Sequence, residues 1–136
     1  MAMVISMTLA AIAIPSYGRI REQVRVTKAT NDIRSIELSI QTFLASRGQL
    51  PNALAELPEA VPLDPWGNPY RFLNFAGAQG FGLQRKDGFL VPINSTYDLY
   101  SMGPDGRSRP PLTAKDSRDD IVRAGDGAYI GQADQY

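Results

Sequence analysis

The chain has 136 residues, which is enough for one domain with a modest core. Its 14 basic and 14 acidic residues cancel, so charge gives no indication that a nucleic acid or an anionic membrane surface is the main partner. The absence of cysteine and histidine excludes disulfides, thiolate nucleophiles, Cys/His zinc sites and imidazole general bases. A periplasmic or secreted domain of this size would need another cross-link, for example a metal ion.

The first 18 residues carry no charge and are largely apolar, with the apolar positions Val4, Ile5, Leu9, Ile12 and Ile14. A bilayer core needs about 20 apolar helical residues, and this run reaches Pro15 before that length. Three interpretations compete: the apolar part of a secretory signal, a buried core segment, and the C-terminal half of a longer apolar helix that begins upstream. The signal interpretation lacks a basic stretch, since no Lys or Arg precedes Arg19.

An amphipathic helix follows. Its apolar positions recur every three or four residues, at Ile20, Val24, Thr27, Ile33, Ile36, Ile40, Phe43 and Leu44. We predict that the helix reaches about Ser46, with Gly48 as its stop and Pro51 soon after. Pro15 lies inside the combined pattern, where it is expected to bend or locally break the helix.

The remainder of the chain has the pattern of loops and short strands. Residues 49–63 are expected to form a loop with one helical turn at 53–57, and four strands are predicted at 70–75, 82–85, 89–93 and 97–101. The tail from Gly103 to Tyr136 is rich in Gly, Asp and Pro and is expected to be irregular. One helix packed on three or four strands makes an α+β layer.

The segment Leu63-Asp-Pro-Trp-Gly-Asn-Pro-Tyr70 predicts a rigid corner. Its prolines fix φ, Gly67 and Asn68 tolerate positive φ, and Asp64 can accept backbone N–H bonds. Trp66 and Tyr70 are expected to anchor the turn in the core rather than to bind a ligand.

Aspartates are spread over the C-terminal third, among them Asp98, Asp105 within Gly-Pro-Asp-Gly, Asp116, Asp119, Asp120 and Asp126. Calcium needs six to eight oxygen ligands, which loops of this composition provide, although the spacing is not that of an EF-hand. From the chemistry alone, a calcium site and a set of solvated turn aspartates both remain open. Nothing arranges the carboxylates as an acid–base pair, so an enzyme is disfavoured.

Several of these segments, taken in order, match a known pattern. They are Ala-Ile-Ala-Ile-Pro-Ser-Tyr17 at the end of the apolar run, the Leu63–Tyr70 corner, and Tyr97-Asp-Leu-Tyr-Ser-Met-Gly-Pro-Asp-Gly-Arg107 followed by Asp119-Asp120-Ile121. Together they resemble the major pseudopilins of type II secretion systems, which are pilin-like proteins. The resemblance covers almost the whole chain.

The resemblance implies a long N-terminal helix packed on a small antiparallel sheet, with an irregular calcium-binding C-terminal loop. Residues 1–18 would be the apolar half of the helix, and residues 19–136 a periplasmic domain that includes the amphipathic helix to about residue 47. The helix would lie in the inner membrane before assembly and in the core of a periplasmic filament afterwards. The implied partners are further copies of the chain, other pseudopilins and an inner-membrane assembly platform, and no nucleic acid.

The calcium ligands implied by the resemblance are the side chains of Asp105, Asp119 and Asp120 and the carbonyl of Met102, with Ser101 as a weaker candidate. Residues 107–118 form a longer stretch than the family pattern suggests, which leaves Asp116 as a substitute ligand. The family's charged leader and Phe-Thr-Leu-Ile-Glu-type start are not seen, so we expect the helix to begin upstream. Two alternatives remain, a type IV pilus subunit or minor pilin and a soluble periplasmic binding protein.

Overall fold

The computed structural model describes residues 2–90 and 92–136, and for residues 2–14 it describes the backbone alone. One long helix, α1 (Ala2–Arg47), is followed by four strands, β1 (Arg71–Asn74), β2 (Tyr97–Ser101), β3 (Ile121–Ala124) and β4 (Tyr129–Gln132). The strands form one antiparallel sheet in the order β1-β2-β3-β4. The predicted α+β class, with a long helix on a small antiparallel sheet, is confirmed.

The helix ends where the sequence indicates. Gly48 adopts φ +73° and its N–H donates to the Leu44 carbonyl at 2.8 Å, which closes the last turn. At the other end, α1 runs through Pro15 without a break, so the expected local break is wrong. The side chains of Val4, Ile5, Leu9, Ile12 and Ile14 lie outside the described part of the chain.

The main core lies between one face of α1 and the sheet. The buried helix positions are Ala29, Ile33, Ile36 and Ile40, and they repeat at intervals of three and four residues. They pack against Tyr97 and Leu99 of β2 and Ile121 of β3. Leu57 and Tyr70, from the segment between α1 and β1, complete this core. This face of the helix therefore holds the sheet in place.

The opposite face of the sheet is also covered. Val122 and Ala124 of β3 pack with Ile93, Leu112 and Ala133, which come from the connecting segments. Because β3 is buried on both faces, its four residues are all inaccessible to solvent.

Two of the predicted strands and the irregular tail are wrong. Residues 82–85 form no strand, and the described residues of 89–93 contribute one isolated bridge, from Leu90 to Asp87. The apolar residues that suggested strands, Phe81, Leu83, Phe89 and Leu90, are exposed, whereas the polar Gln84 and Arg85 are buried. The tail instead supplies β3 and β4, which are joined by a tight turn with positive φ at Gly125, Asp126 and Gly127.

An arginine ties the helix to the sheet. Arg123 of β3 is buried, its Nε donates to Glu37 Oε1 of α1 at 2.7 Å, and its guanidinium lies 4.1 Å from the centre of the Tyr97 ring. Its Nη1 also donates to Asn94 Oδ1 at 3.2 Å. A buried charge is tolerated when it is paired and hydrogen-bonded in this way.

The exposed side of α1 is partly apolar. Tyr17, Ile20 and Val24 are 69%, 63% and 61% exposed. Within the residues that the structure describes, no helix carries an apolar stretch sufficient to cross a bilayer.

Replacing Ile33 tests the packing of α1. Ile33→Ala should lower the free energy of unfolding by about 2–5 kcal/mol, because the side chain is fully buried. Leu38→Ala, on the exposed side of the same helix, should change it by about 0.5 kcal/mol or less. Urea unfolding of the full chain in mild detergent measures both, and equal losses would contradict the assignment of the buried face.

Candidate functional site in the C-terminal loop

The corner at residues 63–70 is built on one buried carboxylate. Asp64 Oδ1 accepts hydrogen bonds from the backbone N–H groups of Trp66 at 3.1 Å and Asn68 at 2.8 Å. Gly67 occupies the positive φ of the turn, at +88°. The predicted capping role of Asp64 is confirmed.

Two aromatic side chains attach this corner to α1. Trp66 Nε1 donates to Glu22 Oε1 at 3.0 Å, and the Tyr70 hydroxyl donates to Asp32 Oδ2 at 2.7 Å. Burial, reinforced by the Asp32 carboxylate, raises the pKa of Tyr70 well above its ordinary value, so the hydroxyl remains a neutral donor. The corner is therefore fixed relative to the helix axis.

The other carboxylate oxygen of Asp64 reaches the loop that follows β2. Ser101 donates its hydroxyl to Asp64 Oδ2 at 2.6 Å, and the Gly103 N–H donates to Ser101 Oγ at 3.1 Å. Ser101, the weaker calcium candidate, is thus engaged by the corner. Met102 lies between Ser101 and Gly103, at the start of the loop.

Two of the predicted ligands, Asp105 and Asp119, come together. The Asp105 N–H donates to Asp119 Oδ2 at 3.1 Å, and Asp105 Oδ1 accepts from the Arg107 N–H at 2.8 Å. Asp119 Oδ1 is buried and has no hydrogen-bond partner among the described residues. Burial raises the pKa of Asp119, and the neighbouring Asp105 carboxylate adds to this effect. A cation placed here would relieve both effects.

Asp120 faces a different group. Its fully buried carboxylate accepts from Arg85 Nη2 and from the Ser108 hydroxyl through Oδ2. Burial raises the pKa of Asp120 to about 7, whereas Ser108 and Arg85 act in the opposite direction. Asp120 Oδ1, like Asp119 Oδ1, is buried without a partner in the described part of the chain.

The substitute ligand Asp116 lies apart from this pair of carboxylates, on the surface. Its Oδ2 accepts from Arg109 Nε at 3.2 Å. Across residues 2–90 and 92–136, no three acidic side chains converge in the manner of a preformed metal centre. The loop therefore offers two adjacent carboxylates, Asp105 and Asp119, rather than a complete cage.

Sequence reasoning missed the groups that surround this loop. Arg85 lies in the predicted strand 82–85, and no sequence pattern indicates that it is buried. Its backbone N–H donates at 2.7 Å to Asp98 Oδ2, and Asn94 Nδ2 donates at 2.9 Å to Asp98 Oδ1. Burial raises the pKa of Asp98. Asp98 lies between Tyr97 and Leu99, which face α1, so alternation along β2 places its side chain on the opposite face of the sheet. No local pattern indicates that the segment around Arg85 covers that face.

The chain is similar to the Type II secretion system core protein G of Pseudomonas aeruginosa, with 28% identity over 120 residues and coverage of 73% of each chain. No family model matches the chain, and no solved structure matches it. The resemblance to major pseudopilins of type II secretion is confirmed by this similarity and agrees with the α+β fold.

The close approach of Gly103 to Asp119 can be tested by replacing Gly103 with alanine, which adds a methyl group at this position. At Gly103, φ is +65° and an added Cβ would lie 2.3 Å from the Asp119 carbonyl oxygen, so Gly103→Ala must displace backbone. We expect a loss of roughly 3 kcal/mol or more in the free energy of unfolding.

The matched control is Gly80→Ala, where φ is +76° and the space around an added Cβ is open. It should lower the free energy of unfolding by only about 1–2 kcal/mol, which is the penalty for a non-glycine residue at positive φ. Urea unfolding compares the two variants, and equal costs would show that the loop does not press on Asp119.

Proposed function

We infer that this chain is a pseudopilin, a structural subunit of the filament that serves type II secretion. The observation that carries this conclusion is the similarity to core protein G over 73% of both chains, and the fold of one long helix on an antiparallel sheet is the one that the resemblance implies. The alternatives, a type IV pilus subunit and a soluble periplasmic binding protein, receive no support from the comparison. The role is mechanical, and no chemical step is needed for it.

In the proposed mechanism of assembly, the N-terminal helix leaves the lipid of the membrane and packs against the N-terminal helices of other subunits. Val4, Ile5, Leu9, Ile12 and Ile14 would lie in the inner membrane before assembly and against the helices of other copies afterwards. Burial of apolar area contributes roughly 25 cal/mol per Å², so helix packing offsets the loss of lipid contact. The filament would also involve other pseudopilins and an assembly platform in the inner membrane, with the globular part in the periplasm.

The exposed side of α1 supports this mechanism. Tyr17, Ile20 and Val24 leave apolar surface in contact with water in the single chain, and they follow directly on the apolar run. Packing against other subunits would remove this surface from water.

We also propose that the loop binds calcium through the carboxylates of Asp105 and Asp119, with the Met102 carbonyl. The buried, unpartnered Asp119 Oδ1 and the adjacent carboxylates fit a hard cation that prefers oxygen ligands. Bound calcium would neutralise the two carboxylates. The ion would then strengthen the link between Asp105 and Asp119 at the two ends of the loop.

Filament formation is tested by overproducing the chain together with its own secretion machinery, then shearing the cells and imaging the released material. Filaments are expected from the unchanged chain and not from Ile12→Asp, because a charge in the apolar run is costly in a helix core. The control Leu38→Ser should still form filaments if this exposed residue lies outside the helix interface. Failure of the unchanged chain to enter a membrane or a filament would overturn the proposal.

Calcium binding is tested by the melting temperature of the full chain in detergent, with and without calcium. At a concentration 100 times the Kd, a ligand specific for the folded state adds about 2.7 kcal/mol of stability, which raises the melting temperature by several degrees. Asp105→Asn should abolish this rise, whereas Asp116→Asn should retain it, because Asp116 is paired with Arg109 instead. A full rise in Asp105→Asn would remove this residue from the site.

A further inference from the structure

Arg85 is a deeply buried basic side chain that lies outside the core between α1 and the sheet. It lies between β1 and β2 in sequence, is 2% exposed, and places its guanidinium 4.2 Å from the centre of the Tyr100 ring on β2. Neither the sequence pattern nor the resemblance to pseudopilins assigns it a role.

Every polar contact of the guanidinium leads to the loop between β2 and β3. Nη2 donates to Asp120 Oδ2, while Nη1 donates to the Ser108 hydroxyl and, at 2.6 Å, to the Arg109 carbonyl. One side chain therefore holds both the middle of the loop and the residue that precedes β3.

The backbone next to Arg85 holds the same loop. The Lys86 N–H donates to the Pro110 carbonyl at 3.0 Å, and the Leu112 N–H donates to the Lys86 carbonyl at 2.8 Å. The segment around Arg85 and residues 108–112 thus form one unit that covers the second face of the sheet.

Charge explains why a cation is needed at this point. The Asp120 side chain is fully buried, and a buried carboxylate is strongly unfavourable unless a cation or several donors compensate it. In a loop that depends on metal, a divalent ion would supply that positive charge. Here the chain supplies it with Arg85.

We propose that Arg85 is a built-in cation that orders the loop of residues 103–120 without a bound metal ion. Asp120 is then committed to Arg85, and Asp105 and Asp119 are left to bind a divalent cation. Only the statement that Asp105 and Asp119 bind a divalent cation rests on the proposed function. The ordering of the loop by Arg85 does not depend on it.

The test uses the full chain in detergent with EDTA. Arg85→Met keeps the length of the stem but removes the charge, and it should lower the melting temperature by about 10 °C, as expected for a broken buried ion pair. Arg109→Met, which removes an exposed arginine from the same loop, should lower it by no more than about 2 °C. An Arg85→Met variant with the same melting temperature as the unchanged chain would overturn the proposal.

A double variant distinguishes the effect of the lost ion pair on the melting temperature from the effect of altered packing. Arg85→Met combined with Asp120→Asn removes the carboxylate that the first change leaves unpaired, so the double variant should melt at a higher temperature than Arg85→Met alone. Calcium should raise the melting temperature of Arg85→Met by more than that of the unchanged chain, because Asp120 is then free to bind. A lower melting temperature for the double variant would argue against the pairing.

Hydrogen exchange of the unchanged chain covers the case in which Arg85→Met does not fold. In EDTA, the amides of Arg109 and Leu112 should remain protected, since they donate to Ser117 Oγ and to the Lys86 carbonyl, which are not proposed metal ligands. Rapid exchange of both amides in EDTA, reversed by calcium, would show that metal and not Arg85 orders the loop. Protection in EDTA without any calcium effect would support the role of Arg85 while refuting the calcium proposal.

Discussion

The burial of one face of α1 against the sheet is the constraint on which the rest of this structure depends. Ile33 and Ile40 are fully buried on that face, and the strands they contact, β2 and β3, lie at the centre of the sheet. The loop after β2 and the turn after β3 continue directly from those two strands, and the corner bonds both to α1 and to Ser101 of β2. Among helix residues 15–28, Val26 packs against this core, whereas Tyr17, Ile20 and Val24 remain exposed.

Two buried arginines cross-link distant segments of this chain, as disulfides do in many small secreted domains. The chain has no cysteine, and two buried ion pairs, Arg123 to Glu37 and Arg85 to Asp120, join segments that are distant in its sequence. The first joins α1 to β3, and the second joins the covering segment to the loop before β3. Both converge on β3, the strand that is buried on both faces, so the ion pairs stabilise the arrangement where an error in strand register would be most costly.

The sequence predicted the helix and two strands because those elements show periodic patterns. Ile33, Ile36 and Ile40 repeat at the helical period, and residues 97–101 have turn residues before and after them. The strand β3 escaped prediction because a strand buried on both faces does not alternate between apolar and polar residues, and Arg123 interrupts its apolar run. At the site, the motif resemblance named Asp105 and Asp119, and the structure places these two residues in contact. No local pattern could reveal that Asp120 would face Arg85, which is 35 residues away in sequence.

The corner at residues 63–70 connects the helix to the loop that could meet neighbouring subunits. Trp66 and Tyr70 bond to α1, while Asp64 bonds to Ser101 at the start of the loop. The start of the loop is therefore linked through the corner to α1. In a filament whose core consists of packed helices, that relation decides whether loops of adjacent subunits meet in register. Order in the loop would thus matter for lateral contacts, even though the apolar helices supply most of the free energy of assembly.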